Sequence, residues 1–233
     1  SFGNQVTDVS FGRNPSDQSW SYFGEPTPGT PNNTTPSIST EISGLVQISL
    51  EPGFYQNSIT IELSTSSSTE QIYYTLDGSK PVSESSLYSG PIIIESTAVL
   101  KTRSIENGKL PGNINSSTYF ISEDSHIPTI SLMAEPKTLW DEEIGIYENE
   151  YKQREIPITL YYFTEEDDLG FTVNAGARLG GENIWTKPQK PFTIYTRNRF
   201  GDDFINYRLF DNKQISRFSR IVLRNGGDDW EET

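Results

Sequence analysis

Residues 72–81, which read IYYTLDGSKP, constrain the fold of this chain more than any other stretch. The first five of them are mostly β-branched or aromatic, a composition typical of a strand. Asp77 and Gly78 then predict a tight turn, because glycine tolerates a positive φ and aspartate accepts hydrogen bonds from its own turn. Pro81 excludes a simple return into a central strand, since proline has no N–H for the ladder. Further β runs follow at residues 87–95 (LYSGPIIIE) and 98–104 (AVLKTRS).

Composition predicts a folded, mainly β protein. The 233 residues give room for one to three domains, and only 33% of them are hydrophobic. Aromatic residues nevertheless make up 12% of the chain, whereas a disordered chain is poor in them. Many Tyr, Thr, Ile and Ser residues, together with 18 Gly and 14 Pro, favour short strands and frequent turns. No stretch with a helical period exceeds about three turns.

Charge and rare residues exclude several classes of function. The net charge of −14 disfavours binding to nucleic acid and to anionic membranes, which both need a basic surface. The absence of Cys excludes disulfides, thiolate catalysis and Cys-ligated zinc. The only histidine, His126, lies in the predicted linker sequence SEDSHIP, and we interpret it as a linker residue. No apolar run approaches the roughly 18–20 residues that span a bilayer.

Residues 45–122 predict a small β-sandwich. Strict alternation in ITIEL at residues 59–63 is typical of a half-buried strand, and turn signals recur along the module. The strands are predicted at residues 46–50, 58–64, 71–76, 91–94, 98–104 and 117–121. With its Asp-Gly hairpin, this segment resembles the immunoglobulin-like module at the C-terminal end of chitobiases and β-hexosaminidases. The resemblance implies an accessory β-sandwich without catalytic residues.

The first 44 residues divide into two further segments. Residues 1–33 contain VSFGRNPSDQSWSYFGEPTPGTPN, which resembles the closing strands of a bacterial lamin-tail-like domain, another immunoglobulin-type sandwich. Only about the last quarter of such a domain is covered. Residues 34–44 (TTPSISTEISG) are rich in Ser, Thr and Pro and predict a linker. The chain opens without Met, and we expect it to be a piece of a longer polypeptide.

Residues 127–233 predict a second β-rich region. Its strands are expected at residues 129–133, 156–163, 171–179, 192–196, 205–209 and 220–224, with a short helical turn at 138–141. The run EEDD at residues 165–168, followed by Leu-Gly, is interpreted as a charged hairpin loop. A calcium loop is the alternative, although Ca²⁺ ligands usually alternate with spacer residues. Binding of Ca²⁺ stays open, without a ligand set.

Four stretches of this region resemble the N-terminal part of the CotH kinase-like family. They are GIYEN (145–149), NAGARLGGENIWTKPQKPFTIYTRNR (174–199), FGDDFINYRL (200–209) and FSRIVLRNGGDDW (218–230), and their order and spacing also match. The fold expected for the whole chain is therefore an immunoglobulin-like β-sandwich followed by a β-rich, partial CotH-like domain. This three-part arrangement is common in large exported bacterial proteins, so we expect a secreted or cell-surface bacterial protein.

The resemblance implies a phosphoryl-transfer fold. Gly180, Gly181 and Lys190 match the glycine turn and the strand lysine of the family's nucleotide-binding lobe. A glycine pair lets backbone amides approach phosphate, and a lysine ammonium neutralises phosphate oxygens. Arg178 and Arg197 are candidates for further phosphate contacts. The alternative is structural, with a strand bend at the glycines, a solvent-facing lysine and arginines paired with acidic side chains.

The same resemblance argues against kinase activity in residues 1–233. The family's metal-binding and catalytic carboxylates lie downstream of the matched region, and we interpret Asp228 and Asp229 as polar loop residues. Phosphoryl transfer needs its metal and its base together. Binding of Mg-ATP is therefore expected only in the full-length protein.

Sugar chemistry gives a separate set of candidates. The acids Asp141, Glu142 and Glu143 are adjacent, whereas a glycosidase needs two carboxyl groups that face each other across a cleft. Carbohydrate binding by aromatic stacking is the more plausible role, with Trp185 and Tyr88 as candidates, beside Trp20, Tyr55 and Tyr73.

These observations favour a non-catalytic accessory, spacer or adhesion role. The expected partners are downstream domains of the same polypeptide and surface glycans or proteins. The alternative is the nucleotide-binding part of an atypical, CotH-like protein kinase.

Overall fold

The computed structural model describes residues 9–24, 27, 29–32, 34–180 and 189–224. The chain divides into two compact units, Ser1–Ser122 and Glu123–Thr233. Both consist mainly of strands, which confirms the predicted mainly β class with an immunoglobulin-like sandwich. Among the described residues, no helix is long and apolar enough to cross a membrane.

The described strands of the first unit form four sheets. The strand bounds are β1 Ser10–Arg13, β2 Trp20–Phe23, β3 Pro36–Ser37, β4 Gln47–Ile48, β5 Gly53–Tyr55, β6 Ile59–Ile61, β7 Leu63–Ser64, β8 Gln71–Thr75, β9 Ser86–Leu87, β10 Ile92–Ile94, β11 Ala98–Ile105 and β12 Asn115–Ile121. Strands β1–β3 make a three-stranded antiparallel sheet, β5-β12-β11-β8-β9 make a five-stranded sheet, and β4 with β7 and β6 with β10 make two pairs.

Alternation along β6 and β10 builds one wall of the first core. Ile59 pairs with Ile94 and Ile61 with Ile92, and all four side chains are buried, whereas Ile93 between them is exposed. They belong to one apolar cluster with residues of the five-stranded sheet, among them Ile72, Leu100 and Tyr119. The alternation predicted for residues 59–63 is therefore confirmed. It places one apolar face of each pair of strands against the larger sheet.

The Asp-Gly turn has the geometry that its sequence predicts. Gly78 has φ of +76°, and its N–H donates to the carbonyl of Val99 at 3.1 Å. The side chain of Asp77 accepts the hydroxyl of Ser79 at 2.6 Å and its N–H at 3.0 Å, and these bonds lower the pKa of the Asp77 carboxyl. The chain returns as β9, which pairs with β8 beyond Pro81 and confirms the hairpin.

The predicted β run at residues 87–95 holds the ends of two short strands, and the second of them confirms the strand predicted at residues 91–94. Ser86–Leu87 pairs with β8 in the five-stranded sheet, whereas Ile92–Ile94 pairs with β6 in a different sheet. Gly90 and Pro91 lie between the two strands. Proline cannot donate to a ladder, so the chain leaves one sheet here and enters the other.

The Ser/Thr/Pro-rich residues 34–44 are packed in the first unit. Strand β3 pairs with β2, and Ser37 and Ser43 are buried. The Ser37 hydroxyl donates to the carbonyl of Gly108 at 2.9 Å, and that of Ser43 donates to the carbonyl of Leu110 at 3.0 Å. These hydroxyls satisfy buried polar groups that a free linker would leave in water.

The second unit is built on a five-stranded antiparallel sheet. The elements are β13 Thr129–Ala134, α1 Pro136–Trp140, a 3₁₀ turn at Glu150–Lys152, β14 Ile156–Phe163, β15 Leu169–Leu179, β16 Phe192–Tyr195, a 3₁₀ turn at Asn198–Phe200, β17 Ile205–Asn206, β18 Arg217–Phe218 and β19 Arg220–Leu223. The strand order in the sheet is β13-β14-β15-β16-β19, and β17 pairs with β18 apart from it.

One face of this sheet carries the second core. From Ile156 to Leu160 of β14 and from Val173 to Leu179 of β15, every second residue is apolar and buried, and Ile146 from the loop before β14 packs on the same face. The residues of this face are Ile156, Ile158, Leu160, Val173, Ala175, Ala177, Leu179 and Ile194. Residues 164–168 connect β14 to β15, which confirms the predicted charged hairpin loop. The sheet thereby fixes which residues of β15 and β16 face away from the core.

We expect the change Leu100→Ala to destabilise the first unit by about 2–5 kcal/mol, because Leu100 is fully buried and truncation leaves a cavity. The matched control is Leu87→Ala, since Leu87 is 50% exposed and its loss should change the unfolding free energy by less than about 0.5 kcal/mol. Urea unfolding followed by circular dichroism measures both. Equal effects of the two changes would contradict the assigned core.

Candidate functional site

Lys190 takes part in a buried ion pair. It lies two residues before β16, and its side chain is 8% exposed. Its Nζ is 2.7 Å from Oε1 of Glu150, whose side chain is 15% exposed. Desolvation makes such a pair costly to break, because a single remaining charge would be buried without its counter-ion. The lysine is therefore held in one place. The structural alternative, in which Lys190 faces solvent, is wrong for this residue.

The surroundings of Glu150 are apolar on one side. Tyr147 packs against Phe192 and Trp140, with ring centroids 6.2 Å and 4.2 Å apart. Burial, together with the charge of Glu150, raises the pKa of the Tyr147 hydroxyl. The second carboxylate oxygen, Oε2 of Glu150, is buried and has no hydrogen-bond partner among the described residues. A buried acceptor of this kind can take one further donor or cation.

Two arginines share the ring of Tyr195. The guanidinium carbon of Arg178 lies 5.1 Å from the ring centroid, and that of Arg197 lies 4.6 Å from it. Both distances are typical of cation–π contacts. The Nε of Arg178 is buried without a hydrogen-bond acceptor in the part of the chain that the structure describes. This group is a donor that an anion could use.

Glu155 anchors the second of these arginines. Its Oε2 is 2.7 Å from Arg197 and 2.7 Å from Arg199, whereas its Oε1 is buried and lacks a hydrogen-bond partner among the described residues. Gly176 lies directly beside this carboxylate and the ring of Phe200, where a Cβ atom would clash with both. A glycine is therefore required at this point of β15 for close packing. Arg197 pairs with an acid, as the structural alternative expected.

The sheet separates the predicted nucleotide residues into two groups. Tyr195 pairs with Gly176, and Arg178 lies two residues further along the same face. Phe192 and Ile194 belong to the core on the opposite face, and the segment that carries Glu150 packs there through its neighbours Ile146 and Tyr147. Arg178 and Arg197 thus lie together on one face. The ion pair of Lys190 lies on the core side of the sheet.

The predicted glycine turn is described only in part. The N–H of Gly180 donates to the carbonyl of Pro191 at 3.1 Å, so this residue closes the connection between β15 and β16. A Cβ atom at Gly180 would lie 2.7 Å from Oγ1 of Thr193. Gly181 and Trp185 lie outside the described residues, as do Asp228 and Asp229. The nucleotide role of Lys190, Arg178, Gly180, Gly181 and Arg197 stays a prediction.

Sequence reasoning did not single out Glu150, Glu155 or Tyr195. Glu150 is 40 positions before its partner Lys190, and Glu155 is 42 before Arg197. A single sequence with 32 acidic residues contains no signal that selects these two. Only the pairing of β15 with β16, and the return of the 145–155 segment to the sheet, brings them into contact.

The acidic run after α1 serves a turn. Oδ1 of Asp141 accepts the N–H of Glu143 at 2.9 Å and that of Ile144 at 3.0 Å, and these bonds lower the pKa of the Asp141 carboxyl. His126 is 91% exposed and lies 3.8 Å from Asp124. Within the described ranges, no group of three or more His, Cys, Asp or Glu residues could hold a metal ion.

The aromatic residues proposed for sugar binding differ in their surroundings. Tyr88 is partly buried and packs against the first core, and its N–H donates to the carbonyl of Ile72. Trp20 on β2 is 54% exposed and stacks on Phe11 of β1 at 5.2 Å, with an angle of 17° between the rings. Arg13 lies over the indole at 5.0 Å. The exposed surface formed by Phe11 and Trp20 is named the β1–β2 aromatic surface.

Comparison with known proteins bears on the first unit. Residues 50–116 match the model of the family described as chitobiase/beta-hexosaminidase C-terminal domain. The match extends from just before β5 into β12, so it contains most of the five-stranded sheet. No curated protein and no solved structure matches the chain. The resemblance of the sandwich module is therefore confirmed for under a third of the chain, and the lamin-tail-like and CotH-like resemblances stay predictions.

We expect Glu150→Ala to lower the free energy of unfolding by about 3 kcal/mol, because Lys190 remains buried without this carboxylate. The double change Glu150→Leu with Lys190→Met should recover much of that loss, since it removes both charges. The matched control is Glu148→Ala, at an exposed position of the same loop. Urea unfolding measures all three variants, and equal losses for the changes at positions 148 and 150 would disprove the stabilising pair.

Proposed function

We propose that this chain is a non-catalytic accessory segment of a secreted or cell-surface bacterial protein, with a spacing and adhesion role. The observation that carries the proposal is the match of residues 50–116 to the C-terminal module of chitobiases and β-hexosaminidases. An immunoglobulin-like module associated with carbohydrate-active enzymes fits an accessory or adhesion role. Its partners would be other domains of the same polypeptide and surface glycans.

The packing of the first unit suits a spacer. Its core is formed by apolar side chains from β6, β10 and the five-stranded sheet, and Tyr119 at its centre donates its hydroxyl to the carbonyl of Leu50. Ser37 and Ser43 of the 34–44 segment are buried and hydrogen-bonded to the turn at residues 106–110. A module with a continuous core folds as a firm body, which is what spacing requires.

The β1–β2 aromatic surface supports the adhesion part of the proposal. Aromatic faces stack on the apolar faces of sugar rings, and Trp20 is more than half exposed although it is a large apolar side chain. Phe11 holds the indole from one side, and Tyr22 packs on Phe11 at 4.8 Å. Support by neighbouring rings fixes the orientation of the indole, which lowers the entropic cost of binding.

A glycan array that includes oligomers of N-acetylglucosamine tests the adhesion role. We expect retention of at least one glycan class, and its loss in Trp20→Ala because the stacking surface is removed. The matched control is Trp140→Ala in the second unit, since Trp140 is 55% exposed and should leave glycan binding unchanged. If the unchanged chain retains no glycan, the adhesion part is wrong and spacing alone remains.

A second candidate function is the nucleotide-binding part of a CotH-like kinase. The buried pair of Lys190 and Glu150 favours it, because protein kinases need a lysine held by a glutamate to place the phosphates. The unpartnered Oε2 of Glu150 and Nε of Arg178 are further polar groups with unused capacity. Glu150 and Arg178 lie on different faces of the sheet, so both could contact one phosphate group only if the phosphate lay at the end of the sheet.

Calorimetric titration with Mg-ATP tests this candidate on residues 1–233 and on a longer version of the polypeptide. We expect saturable heat in the longer version, and its loss in Lys190→Ala because the phosphate contact is removed. Since Lys190 is buried, Arg197→Ala serves as a second variant at an exposed side chain. The candidate is wrong if neither version binds, or if both changes leave binding in the longer version intact.

A further inference from the structure

An apolar groove lies between the first and last strands of the second sheet. It has a volume of about 480 Å³ and is lined by β13, by the segment around β18, and by residues 220–223 of β19. Strands β13 and β19 stand at opposite ends of the strand order, so the sheet curves until both border one cavity. We name this cavity the β19 groove. It is distinct from the Lys190–Glu150 pair and from the arginines on Tyr195.

The β19 groove follows the backbone edge of a strand. All four residues of β19 line it, although consecutive side chains of a strand point to opposite faces. A cavity can touch all four only along the edge. On its other side β19 pairs with β16, and in the described part of the chain no strand pairs with the edge that borders the groove. Its backbone N–H and C=O groups are a template for a further strand.

The walls of the groove are apolar and partly exposed. Phe210 is 49% exposed, Val222 is 54% exposed, and Phe210 meets Phe218 edge-on at 6.3 Å. Ile130 and Ile221 line the groove and also pack against the core of the unit. The groove thus continues the core outward. An added strand would find apolar surface on the face that carries Ile221 and Leu223.

The segment that carries β18 and β19 differs in charge from the whole chain. Residues 204–224 contain five basic side chains and one acidic side chain, a net charge of +4 in a chain of net charge −14. Arg220 lines the groove, and the described part of the molecule offers it no ion-pair or hydrogen-bond partner. It pairs with Tyr195 across the ladder and so lies on the face away from the core. An added strand therefore meets apolar side chains on one face and a free guanidinium on the other.

The opposite wall limits the orientation of the occupant. Burial raises the pKa of the Tyr162 hydroxyl, with further contributions from Tyr207, Asp211 and the acidic loop at residues 165 and 166. Carboxylates are thus close to the Tyr162 wall, and Arg220 is on the β19 side. A negatively charged group is favoured only beside Arg220.

We propose that the β19 groove binds an extended peptide of alternating apolar and acidic residues, which pairs with β19 as an additional strand. Its apolar side chains enter the groove beside Ile221, and its carboxylates face Arg220. Antiparallel pairing of two copies of β19 would bring two segments of net charge +4 together, and the repulsion disfavours a second copy as the occupant. The inference is independent of the proposed spacing and adhesion role.

Fluorescence anisotropy with a labelled octapeptide of alternating valine and glutamate tests the proposal. We expect saturable binding, and at least tenfold weaker binding for the octapeptide of valine and lysine. In Val222→Glu the affinity for the valine–glutamate peptide should fall about tenfold, because the new carboxylate repels the carboxylates of the peptide. A tenfold loss is also the size expected when one charge-assisted hydrogen bond is lost. Val222→Lys should retain binding. Val222 is exposed, so both changes leave the fold intact.

The matched control is Ile93→Glu, at an exposed isoleucine on a strand of the first unit. It should bind the acidic octapeptide like the unchanged chain. Amide chemical shifts in ¹⁵N spectra should change at residues 220–223 on addition of the peptide. Equal affinities of Val222→Glu and Ile93→Glu would overturn the proposal, as would shifts confined to other strands. Sedimentation that shows self-association abolished by Val222→Glu would assign the groove to a second copy instead.

Discussion

Both units depend on the alternation of side chains along antiparallel strands. In β6 and β10 the paired isoleucines point inward, and Thr60 and Ile93 point outward. In β14 and β15 the same period of two places an apolar face against Ile146 and leaves Arg178 and Gly176 on the other face. A shift of one residue in either ladder would exchange the two faces and expose the core. Every polar contact described above takes its position from this register.

The second sheet separates two kinds of buried charge. On the core side, Lys190 and Glu150 form one pair at the border of apolar side chains, where the low polarity strengthens their attraction and raises the cost of losing either partner. On the other face, Arg178 and Arg197 meet the ring of Tyr195, and Glu155 holds Arg197 and Arg199. The side chains of Arg197 and Arg199 are exposed, so their ion pairs with Glu155 are weaker and more adaptable. The two groups have different chemistry although they are close in sequence.

The ends of the sheets explain where ligands find room. Interior strands of the second unit are paired on both sides, whereas among the described residues no strand pairs with the edge of β19 that borders an apolar cavity. Proteins usually shield such edges with charge, and Arg220 lines the cavity beside this one. In the first unit, the β1–β2 aromatic surface is the corresponding exposed feature. The two surfaces differ in the ligand that they favour, since one presents stacked rings and the other a backbone edge with a guanidinium.

Local sequence was sufficient for features that depend on neighbours in the chain. Asp77 and Gly78 form the expected turn because both the positive φ and the Asp cap are local. Strand β14 has the predicted bounds because most of its residues are β-branched or aromatic. Propensity alone could not show that Gly90 and Pro91 lead the chain from one sheet to another. The partners of Lys190 and Arg197 were likewise not found. Each contact joins residues about 40 positions apart.

The mainly β class, the Asp-Gly turn and the similarity of residues 50–116 to the chitobiase/beta-hexosaminidase C-terminal domain could all be read from the amino-acid sequence. These properties follow from residue type and short-range periodicity, which act before any long-range contact forms. The folded molecule was needed to show that Lys190 is buried against Glu150, that two arginines share Tyr195, and that no described strand pairs with the outer edge of β19. Burial, pairing and edge position depend on strand order and register, because these bring distant residues together.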